Sequence, residues 1–180
     1  MIRIVDVGPR DGLQNEPNFV PTEAKISFVD ALSETGARDI EVTAFVSPKW
    51  VPQLEDATQV MQGIKQKDGV AYSVLVPNMR GFDRAMEAGV QKIAIFTAAS
   101  EGFNSKNINT SIDGSFKRLA PVVRAAQDAG IAYRGYVSTA FWCPYEGKIS
   151  PEKAADVIER LADQGVTDVS IGDTIGKAKP

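Results

Sequence analysis

Histidine is absent from this 180-residue chain, and cysteine occurs once, at Cys143. Without imidazole, metal ligation and proton transfer here fall to carboxylates and other oxygen donors, and a single thiol cannot form an internal disulfide. Apolar runs are a few residues long, far short of the roughly 20 needed to cross a bilayer. The N-terminus enters strand-like sequence at once, where a signal peptide would show an apolar stretch. Lys and Arg number 20 against 23 Asp and Glu, a formal net charge of -3. That excess is too small and too mixed in sign to imply nucleic acid or a membrane surface as partner. Asn109-Thr110-Ser111 fits the glycosylation pattern, but without a secretion signal it carries no weight. With 43% apolar and 24% charged residues, the expectation is a cytoplasmic globular enzyme acting on a small molecule.

Along the chain, short β-branched runs alternate with amphipathic stretches. Strands are predicted at Ile2–Val7, Asp39–Thr43, Tyr72–Val76, Lys92–Phe96, Ala132–Val137 and Asp168–Ile171. Helices are predicted near Thr22–Thr35, Leu54–Lys67, Arg80–Ala88, Ile112–Ala129 and Pro151–Gln164, several closed by a glycine just past the end: Gly36, Gly89, Gly130 and Gly165. Ser150-Pro151-Glu152 offers a cap, a proline at the first helical position and an early acid. Six strands alternating with five helices imply a parallel α/β sheet with right-handed crossovers. No linker or charge block divides it.

Alternation alone does not separate a barrel from a doubly wound sheet. The unusual polar residues decide, because nearly all follow carboxyl ends of strands: Asp11 and Gln14, Thr43 and Ser47, Asn78, Ser100 and Glu101, then Asp173 and Thr174. Sites contributed by nearly every strand favour a barrel. A dinucleotide fold would want G-x-G-x-x-G after the first strand, and Gly8-Pro9-Arg10-Asp11 lacks that spacing. Gly172-Asp173-Thr174-Ile175-Gly176-Lys177 is one residue short of a phosphate loop.

The run Val7-Gly8-Pro9-Arg10-Asp11-Gly12-Leu13-Gln14-Asn15-Glu16 ends a strand in a Gly-Pro turn and then presents a cation beside a carboxylate. Such a pairing can hold a metal and an anionic oxygen together. This run resembles hydroxymethylglutaryl-CoA lyase. The Arg-Asp-Gly element is shared across the wider superfamily of metal-dependent barrels that includes isopropylmalate and homocitrate synthases. Phe45-Val46-Ser47-Pro48-Lys49-Trp50 and Cys143-Pro144-Tyr145-Glu146-Gly147 point to the lyase in particular. The implied fold is a TIM (β/α)8-type barrel, truncated here to about six strands and five helices of a single domain over residues 1–180.

The resemblance implies a retro-Claisen cleavage of 3-hydroxy-3-methylglutaryl-CoA to acetoacetate and acetyl-CoA, with Mg²⁺ or Mn²⁺ as cofactor and an acyl-CoA as the bound small molecule. It makes Asp11 a metal ligand and Arg10 the stabiliser of the enolate. Asp173 becomes an acid/base beside the substrate hydroxyl, and Glu41 a partner that organises Arg10; for both acids a structural ion pair beneath the site is the competing reading. Gln14, Thr43, Asn78, Arg134, Tyr136 and Thr174 follow as substrate contacts or supports, with a buried structural pair equally open for Arg134. Cys143 matches a structural cysteine of the family, whereas the proton-donating one belongs to a later glycine-rich loop. Pro17 stands where relatives often carry a lysine.

The family's two histidine ligands, a further Asn ligand and the catalytic cysteine loop have no counterpart in this chain. The expectation is therefore the N-terminal part of a lyase, inactive by itself. The alternatives are a non-catalytic remnant and a related acyl-CoA condensing enzyme; a homo-oligomer stays open. A Schiff-base aldolase is disfavoured, because Lys92 lies at the amino end of its strand.

Overall fold

The computed structural model describes residues 3–179. The chain divides into two compact units, Met1–Ile93 and Ala94–Pro180. Its sheet has the order β1-β2-β3-β4-β7, formed by β1 (Asp39–Ala44), β2 (Ala71–Leu75), β3 (Lys92–Ala98), β4 (Ala132–Ser138) and β7 (Val169–Ile171). A second, two-stranded antiparallel ribbon joins β5 (Trp142–Cys143) to β6 (Gly147–Lys148).

In the first unit, β1 and β2 pair in parallel and the helices α1 (Thr22–Glu34), α2 (Ala57–Gly63) and α3 (Met79–Glu87) intervene. All six residues of β1 are buried, as a strand covered on both faces must be. Val29, Ile40, Val42, Phe45, Leu54, Val60 and Val74 make the core. At the amino ends of the strands, Asp39 receives Arg3 and Lys92, the latter at 2.9 Å. Burial works against the charged form of Asp39, but the hydrogen bonds from Arg3 and Lys92 outweigh it and hold its pKa below the ordinary value. Lys92 is thus committed to an ion pair.

The second unit holds α4 (Glu101–Ile108), α5 (Ile112–Asp128) and α6 (Pro151–Asp163) around the parallel pair β4–β7. Its core comprises Ile95, Leu119, Val122, Val137, Val157 and Leu161. Helix starts follow from capping: the side chains of Asn78, Ser100, Ser111 and Ser150 each accept the N–H three residues on. Gly36, Gly89, Gly130 and Gly165 all adopt positive φ, the left-handed turn that ends a helix and favours glycine.

Besides the β5–β6 ribbon, which was not expected, three elements depart from the sequence expectation. The predicted strand Ile2–Val7 (Ile2 lies outside the described residues) is reduced to one parallel bridge, Asp6 to Ile40. Its pairing consists of Asp6 N–H to Asp39 O at 2.9 Å and Glu41 N–H to Asp6 O at 2.8 Å, because Val7 already leaves the extended region with ψ 7°. The predicted helix Leu54–Lys67 shortens to α2: Pro52–Leu54 forms a 3₁₀ turn, the Gln53 carbonyl is taken by Lys25, and Ile64 returns to extended backbone. Helix α4 was not expected, since its sequence is mostly polar and it ends on Asn109 in the left-handed region instead of on a glycine. Among the described residues the count is therefore five strands in the sheet and six α-helices.

Candidate active site

In the first unit the segment after Asp6 winds into a π-helical turn over Gly8–Gly12. Three consecutive amides, those of Arg10, Asp11 and Gly12, converge on the Val7 carbonyl at 3.2, 2.7 and 3.4 Å. Pro9 sits at the start, where it has no N–H to leave unpaired, and Gly8 donates its own to the Asp6 carboxylate at 2.9 Å. Such one-turn π segments recur at functional sites, and this one carries the cation and carboxylate of the motif.

The Arg10 guanidinium spans two carboxylates: Nε donates to Glu41 Oε1 and Nη1 to Asp11 Oδ1, the second at 2.7 Å. The three side chains form a gradient of exposure, 0% for Glu41, 12% for Arg10 and 54% for Asp11. A carboxylate withdrawn from water must be compensated, and Arg10 supplies that charge while leaving Asp11 turned to solvent. Asp11 is therefore free to exchange its partner for another cation. Asn15 braces the turn from beyond, its side-chain amide donating to the Asp11 carbonyl at 2.7 Å, with half-buried Gln14 between them.

The remaining first-unit candidates are placed differently. The β1–β2 register shifts between Glu41 and Thr43, so Glu41 lies opposite Ser73 and Thr43 opposite Val74. Ser73 and Val74 face opposite sides of their strand, which turns Thr43 away from the face of Glu41. Its hydroxyl is buried and has no hydrogen-bond partner among the described residues. Asn78 spends its side-chain oxygen on Gly81 N–H at 3.0 Å, capping α3.

In the second unit, Arg134 donates from Nε and Nη2 to Asp168 Oδ2 at 3.0 and 2.8 Å. Burial disfavours its charge, yet the hydrogen bond and charge of Asp168 prevail and raise its pKa, with Tyr136 contributing in the same direction. This is the structural-pair geometry left open for Arg134. Asp173 accepts two main-chain N–H groups, Lys177 to Oδ1 and Ala178 to Oδ2, both at 2.9 Å, so its oxygens are oriented as acceptors just past β7. Thr174 takes the Thr139 N–H on its hydroxyl at 2.7 Å.

Cys143 is fully buried, with its sulfur accepting from the Ser100 hydroxyl at 2.9 Å and the Tyr145 N–H at 3.3 Å. The ribbon carrying it is tied to α4 by Glu146, which accepts the Gly102 N–H. Burial opposes the charge of Glu146, but that amide together with Lys153 and Ser100 lowers its pKa. Sequence reasoning passed over this tie, although Ser100 preceding Glu101 is a recognisable cap.

A family model described as HMGL-like matches residues 1–180. The chain belongs to the HMGL-like family. It is 55% identical over 179 residues to the mitochondrial hydroxymethylglutaryl-CoA lyase of Pongo abelii, covering 99% of this chain and 55% of that protein. It is 53% identical to the cytoplasmic 3-hydroxy-3-methylglutaryl-CoA lyase of Homo sapiens, covering 99% of this chain and 48% of that protein. Among solved structures, an HMG-CoA lyase from Acinetobacter baumannii in complex with coenzyme A and 3-methylmalate matches with a TM-score of 0.96 at 36% identity, covering 100% of this chain and 59% of that one. The chain thus spans about half the length of the curated relatives it matches. Its sheet and helices are the part of the HMGL-like barrel that these residues encode. Among the described residues, no helix is long and apolar enough to cross a membrane.

Proposed function

We propose that this chain is part of a single-domain, metal-dependent lyase that cleaves 3-hydroxy-3-methylglutaryl-CoA. In that reaction the tertiary hydroxyl gives up its proton and the bond from its carbon to the thioester-bearing methylene breaks. The electron pair passes to the thioester as an enolate, which then takes a proton. The products are acetoacetate and acetyl-CoA.

The observation that carries the reading is the Arg10 guanidinium, held from behind by the buried Glu41 and paired in front with the half-exposed Asp11. A fixed cation with no rearrangement left to make is what a developing enolate oxygen needs. Glu41 holds the guanidinium plane in place. Asp173, its oxygens set by two amides, serves as the proton acceptor for the hydroxyl. Gln14 is assigned to substrate contact, and Tyr136, whose side chain interacts with Arg134, to substrate contact or support. Asn78, Arg134 and Thr174, whose side chains already have intramolecular partners, each support the backbone of their own unit, as does buried Thr43.

The donor chemistry fits a hard divalent cation in part. Asp11 offers carboxylate oxygen, the ligand type that Mg²⁺ and Mn²⁺ accept, while among the described residues no group of three His, Cys, Asp or Glu is placed to hold a metal. A bound cation would supply Lewis-acid stabilisation of the substrate alkoxide near neutral pH.

The test is Arg10→Gln in the longer protein that contains this segment. With charge needed mainly as the enolate forms, kcat should fall by about a thousandfold or more while KM changes little. Far-UV circular dichroism controls for folding at the assay temperature. A variant with near-normal kcat removes Arg10 from the role, and a wild-type protein that releases no acetoacetate with Mg²⁺ or Mn²⁺ removes the lyase reading itself.

A further inference from the structure

Lys25 is only 3% exposed and lies in the first turn of α1, on the same buried stripe as Val29 and Ser33. At such a position an apolar side chain would satisfy packing, and a buried ion pair is often no more stabilising than an apolar replacement. What it adds is direction. The Lys25 ammonium donates to the Gln53 carbonyl and to Asp56 Oδ1, the latter at 2.7 Å, and lies 4.2 Å above the Phe19 ring. The second Asp56 oxygen accepts the Thr22 hydroxyl at 2.7 Å.

From that knot the connection runs back to the motif. The side-chain amide of Gln53 donates to the Glu16 carbonyl at 2.8 Å. Glu16 N–H bonds Leu13 O at 3.2 Å and Asn15 N–H bonds Gly12 O at 3.1 Å, while the Asn15 side chain reaches the Asp11 carbonyl. The loop over residues 16–21 is therefore pinned at Glu16 by Gln53 and at Phe19 by Lys25. Every link between Lys25 and Asp11 is a hydrogen bond, a ring contact or a covalent turn.

We propose that Lys25 is a positioning residue: acting through Gln53 and Glu16, it fixes the turn that presents Arg10 and Asp11. Its effect on turnover rests on the lyase reading, whereas its effect on the turn does not. Two variants separate the clamp from general stability. Lys25→Met removes the cation and leaves the Asp56 carboxylate with the Thr22 hydroxyl but no counter-ion. Gln53→Leu leaves the ion pair intact and cuts only the link to Glu16.

Amide hydrogen exchange is measured on the chain with each variant. Residues 8–16 should exchange about tenfold faster in both, while β1 in Gln53→Leu keeps its wild-type protection. In the longer protein, both variants should raise the Mg²⁺ concentration for half-maximal activity by about tenfold, as loss of an outer-shell support does, and Lys25→Arg should restore most of it. Unchanged exchange at residues 8–16 in Gln53→Leu, or equal loosening of β1, overturns the proposal. If the longer wild-type protein shows no acetoacetate release, the lyase reading fails and the exchange result still decides the clamp.

Discussion

Replacing Arg10 with Met tests the electrostatic core of the first unit, and its magnitude follows from the exposure gradient. Glu41 is 0% exposed and Arg10 12%, so their attraction lies between the surface and interior limits. At about 4 Å and an effective dielectric of about 20 it amounts to roughly 4 kcal/mol. Removing one partner of such a pair leaves a buried charge and costs about 3–5 kcal/mol. The pair with the half-exposed Asp11 adds less than about 1 kcal/mol. Arg10→Met should therefore destabilise the fold by about 3 kcal/mol, the lower end being chosen because Arg10 keeps some contact with water. Glu41→Gln, which preserves shape and leaves Arg10 its Asp11 partner, should cost about 1–2 kcal/mol. The double variant removes both charges and should be more stable than Arg10→Met alone. Urea denaturation at pH 7, followed by far-UV circular dichroism, reads these values: with a slope of about 2 kcal/mol per molar, Arg10→Met should lower the midpoint by about 1.5 M. If the two single effects simply add in the double variant, the two residues are not coupled and the account of a guanidinium held by Glu41 is wrong.

Two further outcomes follow from the same unit. Asp39, whose pKa is lowered when folded, contributes stability that is present above the unfolded carboxylate value of about 3.9 and is lost as pH falls through the folded value. Urea midpoints measured from pH 6 to 2 should drop at the acid end, and Asp39→Asn should flatten that drop; an equally steep decline in the variant would contradict the assignment. A Cβ on Gly81 would meet the Phe45 carbonyl at 2.6 Å and Pro77 Cδ at 3.0 Å. Gly81→Ala should thus cost about 1–3 kcal/mol of strain against a helix-propensity gain of about 1 kcal/mol, and a melting temperature at or above wild type would show that the backbone can move aside.

The legible parts of this protein were those where one residue acts through its own geometry. Gly36, Gly89, Gly130 and Gly165 end helices because only the backbone at that position matters. Ser150 with Pro151 begins one for the same local reason. Short runs holding β-branched or aromatic residues between turn signals announced β1 to β4. Arg10 and Asp11 were legible as a motif, and their proximity to each other needs no tertiary information.

Other features are set across distance, and no window of sequence contains them. The partner of Arg10 is Glu41, 31 residues on, and only chain packing brings it there. A register shift, invisible in the alternation of Glu41-Val42-Thr43, decides which face Thr43 occupies. Lys25 takes the Gln53 carbonyl ahead of α2, which starts at Ala57 and not at the expected Leu54. By itself the sequence determined the alternation of β1 to β4 and β7 with their main helices, and the Arg10-Asp11 motif, because these rest on torsional preference and on neighbours in the chain. The tertiary structure alone decided which carboxylate is buried behind the guanidinium and which cation is spent on holding a loop, because charges withdrawn from water choose partners by distance in space.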